Sequence, residues 1–189
     1  MKGLERITTV TFAEVLSDSG KIPNEKITEA LYQQDSTNCS FVEYLVDIGV
    51  TTEWDLAKIV VQHFQIPFLM CEFLEIRKDT FKNFDLEFIF RNNIVPFQDF
   101  GSTLNILMPT FVPFKVLEEC RKITKKEIFP FVGLPSENKR VLMKEFPEYK
   151  FNTEKKSASN HNKDNKSWEN IFDIGDQEVK RNLDSNLSS

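Results

Sequence analysis

A repeat of twenty-nine residues is the feature that most limits how this chain can fold. Residues 11–20, TFAEVLSDSG, align with residues 40–49, SFVEYLVDIG, sharing Phe12/Phe41, Glu14/Glu43, Leu16/Leu45, Asp18/Asp47 and Gly20/Gly49. The match continues downstream, where Ile27, Ala30, Leu31 and Gln34 fall on Leu56, Ile59, Val60 and His63. In the second copy Phe41, Tyr44, Leu45 and Ile48 recur at i, i+3, i+4 and i+7, the spacing of one helix face. Gly49 follows where a helix stop belongs, since glycine enters the left-handed region without a Cβ penalty. Thr52 opens a second helix, with Asp55 placed to bond back as in a capping box. Leu56, Ile59, Val60 and His63 repeat the helical spacing until Ile66, Pro67 and Phe68 break it. Each copy is therefore a helical hairpin. One hairpin cannot bury its apolar face alone, so two are expected to pack together.

The remaining sequence changes character twice. Residues 35–39 (DSTNC) read as a polar connector between the hairpins, and 70–76 as an irregular linker. Asp79 is a reasonable N-cap for a helix carrying Phe81, Phe84, Phe88 and Ile89. Residues 94–100 and 103–108 read as two strands turning at Gly101 and Ser102. Pro113 lies early in a helix burying Val116, Leu117 and Cys120, near the first-turn position that proline tolerates. Residues 127–132 form another strand, in which Pro130 argues for an edge position. Ser136 then opens a last helix with Val141, Leu142 and Phe146. The fold class is α+β: four short helices in residues 1–68, then a small α/β sandwich in residues 69–150. Residues 152–167 hold no large apolar side chain, so 151–189 read as a mostly disordered tail.

Composition excludes several functions. The 189 residues carry a formal charge of −5, which offers no electrostatic footprint for nucleic acid or an anionic membrane. No apolar run reaches membrane-spanning length, and residues 1–10 lack a signal-peptide core, so a cytoplasmic location and no membrane insertion are expected. Cys39, Cys71 and Cys120 show no C-x-x-C spacing and indicate neither a disulfide framework nor a zinc knot. Cys120 reads as a small core hydrophobe. The carboxylates Glu14, Glu43, Asp18 and Asp47 read as repeat-related surface positions rather than an acid/base pair. His63 reads as a half-buried residue at a helix end, and His161 as a solvated tail residue. No nucleophile is spaced with a base. The chain is read as non-enzymatic, with no cofactor and no metal.

Taken together, the two hairpins, the closing Ile66-Pro67-Phe68, the Val95-Pro96-Phe97 strand, the strand at 104–109 and the helix after it resemble a known family. The resemblance, over residues 8–148, is to the N-terminal regulatory domain of type II secretion and type IV pilus assembly ATPases, the GspE/PilB/MshE group. One branch, the MshEN type, binds cyclic di-GMP through two tandem Arg-Leu-Gly … Gly … Leu … Leu … Gln patterns. The resemblance places the corresponding slots at Thr11, Phe12, Ala13, Leu16, Gly20, Leu31 and Gln34, and at Ser40, Phe41, Val42, Leu45, Gly49, Leu56, Val60 and His63. Here the pattern is degenerate. Thr11 and Ser40 replace the arginines, Ala13 and Val42 replace the close-approach glycines, and His63 replaces one glutamine. Two lost charge-assisted bonds at about 1.5–3 kcal/mol each weaken binding by about 100-fold or more. Cyclic di-GMP is therefore the alternative reading rather than the first. No G-x-x-x-x-G-K-[ST] phosphate loop is present, so the ATPase motor is missing, and the chain is expected to be a stand-alone relative or else a piece of a longer protein.

What the resemblance implies is an interaction module that docks a secretion or pilus component, a motor ATPase or a related signalling protein. In the tail, Trp168, Ile171 and Phe172 have i, i+3, i+4 spacing, flanked by Glu169, Asp173 and Asp176. That is the anchor pattern of a short docking helix at 168–175.

Overall fold

The computed structural model describes residues 5, 7–37 and 39–149. Two units separate at Glu145: Met1–Glu145, and Phe146–Ser189, of which residues 146–149 are described. The anticipated tail, including Trp168, Ile171 and Phe172, lies outside the described residues.

The four helices of the repeat form as the pattern requires: α1 (Thr9–Ser19), α2 (Asn24–Thr37), α3 (Phe41–Asp47) and α4 (Glu53–Phe64). Gly20 and Gly49 turn left-handed, at φ of 63° and 72°, each with open space where a Cβ would sit. They are glycine for backbone reasons. Thr52 caps α4 by accepting the Asp55 N–H at 3.2 Å, and its hydroxyl donates to the Asp55 carboxylate at 2.7 Å. The capping partner is thus the Asp55 side chain and amide rather than a bond back to the Thr52 amide. Tyr44 leaves the expected core face of α3, where Val42 is buried instead. The Tyr44 hydroxyl donates to Glu29 of α2 at 2.5 Å.

Two expected boundaries are corrected. Residues 35–37 are not connector but the last turn of α2, where the Ser36 and Thr37 hydroxyls donate to the Tyr32 and Gln33 carbonyls at 2.8 and 2.7 Å. Bonding back one turn lets these polar side chains be accommodated inside the helix. The helix expected from Asp79 is instead two pieces, a 3-10 turn at Lys78–Phe81 and α5 (Leu86–Asn92), the latter capped by Asp85 accepting the Glu87 N–H at 3.0 Å. Thr80 holds the break: it is buried, and its hydroxyl lies 2.7 Å from both the Arg77 and the Pro96 carbonyls, which share its one proton.

Strand β1 (Val95–Asp99) runs antiparallel to β2 (Thr103–Pro109), with a bulge at Phe97, and β2 runs parallel to β3 (Glu127–Gly133). The parallel pair is bridged by α6 (Phe114–Thr124), and α7 (Pro135–Glu145) follows β3. The sheet order is β1-β2-β3, so among the described residues β3 with Pro130 lies at an edge, where Phe68 forms a bridge with Val132. Gly133 is required by packing, since a Cβ there would stand 2.7 Å from Leu107 Cγ.

Bundle and sheet pack within the first unit. Phe12 of α1 stacks on Phe111, centroids 4.7 Å apart and planes 21° from parallel, and Phe64 of α4 meets the same ring at 6.2 Å. The Phe114 N–H donates to the Ile7 carbonyl at 2.8 Å. Glu53 of α4 accepts from Ser136 at the start of α7.

Candidate functional site

The repeat positions divide sharply by exposure. Phe12, Ala13, Leu16, Phe41, Val42, Leu45, Leu56 and Val60 are all buried, Phe12 completely, at 0% exposure. They are the core that joins the hairpins to each other and, through Phe111, to the sheet. Leu31 is half-buried, while Gly20 and Gly49 lie at exposed turns. Thr11 spends its amide and hydroxyl on Thr8, at 3.1 and 2.9 Å. Ser40 caps α3 by accepting the Glu43 N–H at 3.5 Å. His63 is exposed rather than half-buried, edge-on to Phe64 with centroids 5.0 Å apart.

Four of these positions meet in one place. Gln34 of α2 and Ser40, Phe41 and Val42 of α3 line a cleft of about 420 Å3, closed on its far side by α5, the segment before α6, and α7. Thr11, Ala13 and His63 are not on its walls, so the two slots do not converge on a common pocket. The cleft has an apolar floor of Phe41, Val42, Phe111 and Val116, and a polar rim that includes Thr9, Gln34, Glu43, Asn93 and Lys139. Burial pushes the Glu43 carboxyl above its ordinary range, against the opposing pull of Lys139, while Asp47 and Glu53 add to the rise. Burial likewise raises the Cys39 thiol, helped by Glu43 and Asp47.

Sequence reasoning did not anticipate Asn93 or Lys139 here. Asn93 ends α5 at φ 49°, and asparagine after a helix is itself a left-handed C-cap signal. Its Nδ2 donates to the Pro135 carbonyl at 2.9 Å, and Asn138 Nδ2 donates to the Asn93 carbonyl at 2.9 Å. No group of three or more histidine, cysteine or carboxylate side chains could hold a metal among the described residues. Nor is any described helix long and apolar enough to cross a membrane.

A second surface lies on the sheet. Phe129, half exposed at 50%, is 5.7 Å from Phe131, which meets Phe97 edge-on at 5.4 Å. Register places Phe129 beside Asn105 and Phe131 beside Leu107, so the three rings form a row across one face of the sheet. Trp54 and Phe68 form a further aromatic pair at 5.4 Å, and Trp54 is 46% exposed.

The described residues thus set tandem helical hairpins on a three-stranded sheet. Residues 64–144 match the family model of the MshEN domain. Among solved structures, the fold is similar to that of MshE with cdg, at 15% identity and a TM-score of 0.53, covering 70% of this chain and 96% of that one. It is similar also to the N-terminal domain of XpsE, at 16% identity and a TM-score of 0.55, covering 71% and 94%. No curated protein matches the sequence. Residues 64–144 are thus similar to the MshEN domain, and the fold is similar to that of MshE and of the N-terminal domain of XpsE. The matched segment begins at Phe64, the last residue of α4.

Proposed function

We propose that this chain is a cytoplasmic, non-catalytic docking module that binds a protein component of a secretion or pilus machine, or a related signalling protein. The row of Phe129, Phe131 and Phe97 on the sheet face carries this reading. Phe129 is 50% exposed and backed by the partly buried Phe131 and the buried Phe97, and an exposed ring held by aromatic neighbours is a usual anchor of protein contacts. The repeat core supports it from the other side, because Phe12 and Phe41 are occupied with packing and Thr11 and Ser40 bring no cation. Trp168, Ile171 and Phe172 are assigned to a second contact, and two contacts on one tether raise avidity through effective concentration. Substituting Phe129→Asp tests the reading. It weakens binding to the purified partner component at least tenfold while leaving the far-ultraviolet circular dichroism unchanged. Equal binding by the variant removes the sheet face as the docking surface.

A second reading, a cyclic di-GMP receptor using altered contacts, is favoured by one observation. Gln34, the retained glutamine, lines the same cleft as Ser40, Phe41 and Val42. MshE, whose fold is similar, has been solved with cdg. Calorimetric titration separates the readings: saturable binding tighter than about 10 µM that Gln34→Ala abolishes supports the receptor. A flat titration leaves the docking module.

A further inference from the structure

Four residues other than glycine hold a positive φ among the described residues, and three of them end helices: Gln65, Asn93 and Lys125. The fourth is Thr110, at φ 59°, which follows strand β2 and is completely buried. A left-handed backbone is unfavourable for a residue with a Cβ, and most of all for a β-branched one. The Phe111 N–H closes back onto the Pro109 carbonyl, so Thr110 is the centre of a three-residue turn of the strained hand. The turn is held from β3, where the Gly133 carbonyl accepts the Thr110 N–H at 2.8 Å and the Thr110 hydroxyl at 3.2 Å.

A second cost lies at the same joint. Asn138 of α7 is also completely buried, and its Nδ2 donates to the Asn93 and Leu107 carbonyls at 2.9 and 3.3 Å. Its Oδ1 accepts no hydrogen bond among the described residues, and turning the amide over would surrender both bonds of the nitrogen. That oxygen adjoins Gly133, 3.0 Å from where a Cβ would stand. A strained backbone and a buried unpaired acceptor thus flank one glycine, and such costs persist only where the surrounding packing offsets them. Much of that packing comes from the very next residue. The Phe111 ring stacks on Phe12 and meets Phe64, which joins the helical bundle to the sheet. Pro109, Phe111, Val112 and Pro113 also line the cleft, so the strained turn forms part of its wall. Strain of this kind raises the energy of the observed arrangement alone. It therefore narrows the gap to an arrangement in which Thr110 has returned to negative φ, a rotation that carries Phe111 with it.

We propose that residues 109–111 are a two-state latch: in the second state Thr110 relaxes to negative φ, Phe111 withdraws from Phe12 and Phe64, and the bundle loosens from the sheet beside the cleft. The inference does not depend on the docking reading. Relaxation-dispersion NMR of the full chain tests it at the backbone amides of Phe12, Phe64, Thr110 and Phe111, which exchange at one common rate in the native chain. Thr110→Asn has nearly the same volume and tolerates the left-handed region, and it lowers the minor population about threefold or more. Thr110→Gly, which has no Cβ to strain, lowers it as well. Thr110→Val keeps the β-branch and loses the hydroxyl bond, so its minor population is equal to the native one or larger. Phe12→Leu weakens the ring stack and enlarges that population. Flat dispersion at Phe111 in the native chain overturns the proposal, as does exchange confined to Thr110 and Phe111 with none at Phe12 or Phe64. A minor population left unchanged by both Thr110→Asn and Thr110→Gly overturns it too.

Discussion

The carboxylate of Glu53, in the first turn of α4, caps the first turn of α7, accepting the Ser136 N–H at 3.0 Å and the Ser136 hydroxyl at 2.6 Å. A side chain from the helical bundle thereby satisfies an orphan donor of the last helix, eighty-three residues away in sequence. Negative charge at a helix N-terminus also opposes the positive end of the macrodipole.

Glu53→Ala is therefore expected to cost about 1 kcal/mol, the ordinary loss of a helix cap. Ser136→Ala also costs stability, and the double variant costs less than the two singles together. A urea-denaturation double-mutant cycle checks this, and strict additivity would show that the pair is uncoupled.

Phe12→Ala removes a ring stacked on Phe111 and fully enclosed, with an expected cost of about 3–5 kcal/mol. Thr11→Ala, one position earlier, is expected to stay within about 1 kcal/mol, since Thr11 bonds only to Thr8 at the exposed start of α1. Thermal or urea unfolding of the two variants side by side tests whether the repeat is core.

Gly49→Ala tests the turn geometry. At φ 72°, with nothing within 4 Å of the added methyl, the cost is purely conformational, about 1–2 kcal/mol. Gly20→Ala behaves alike, and a neutral result at either position would mean that the turn relaxes.

Acid sensitivity follows from Asp99. The Lys126 ammonium at 2.5 Å, and then the Gly101 N–H, hold its carboxyl below the usual range. A folded pKa below the unfolded one, near 3.9, adds stability that is present above that unfolded value. That contribution is lost as the pH falls through the lower folded value. Asp99→Asn lowers stability at pH 7 and flattens the dependence on pH below about 4, as urea midpoints across that range will report.

The thiols form a graded series. Burial pushes Cys120 up to about 12 and Cys71 up to about 11, whereas Cys39 is only half-buried. Because the thiolate is the reacting form, Cys39 is modified first in the native chain, and Cys71 and Cys120 react upon unfolding. Counting thiols titrated with and without denaturant checks the order.

The parts of the fold legible in the sequence are those where one residue type has few alternatives. Gly20 and Gly49 mark left-handed turns, Thr52 a cap, and Pro130 an edge strand. Phe81, Phe84 and Phe88 show the limit of such reasoning. Their helical spacing is also met by a 3-10 turn and a separate helix that both face the core, and the choice is made by Thr80 reaching the Pro96 carbonyl. At the candidate site, Gln34 and the Ser40-Phe41-Val42 stretch could be located from the repeat. Asn93 and Lys139 could not, because elements fifty to a hundred residues further along the chain bring them to the cleft.

Protein docking by the proposed module is tested by binding in solution. Purified full-length chain and its Phe129→Asp variant should be titrated with the soluble components of the host's secretion or pilus machine. The native chain is expected to bind one component saturably, and the substitution to weaken that binding at least tenfold. No binding of any component, together with saturable binding of cyclic di-GMP, would contradict it.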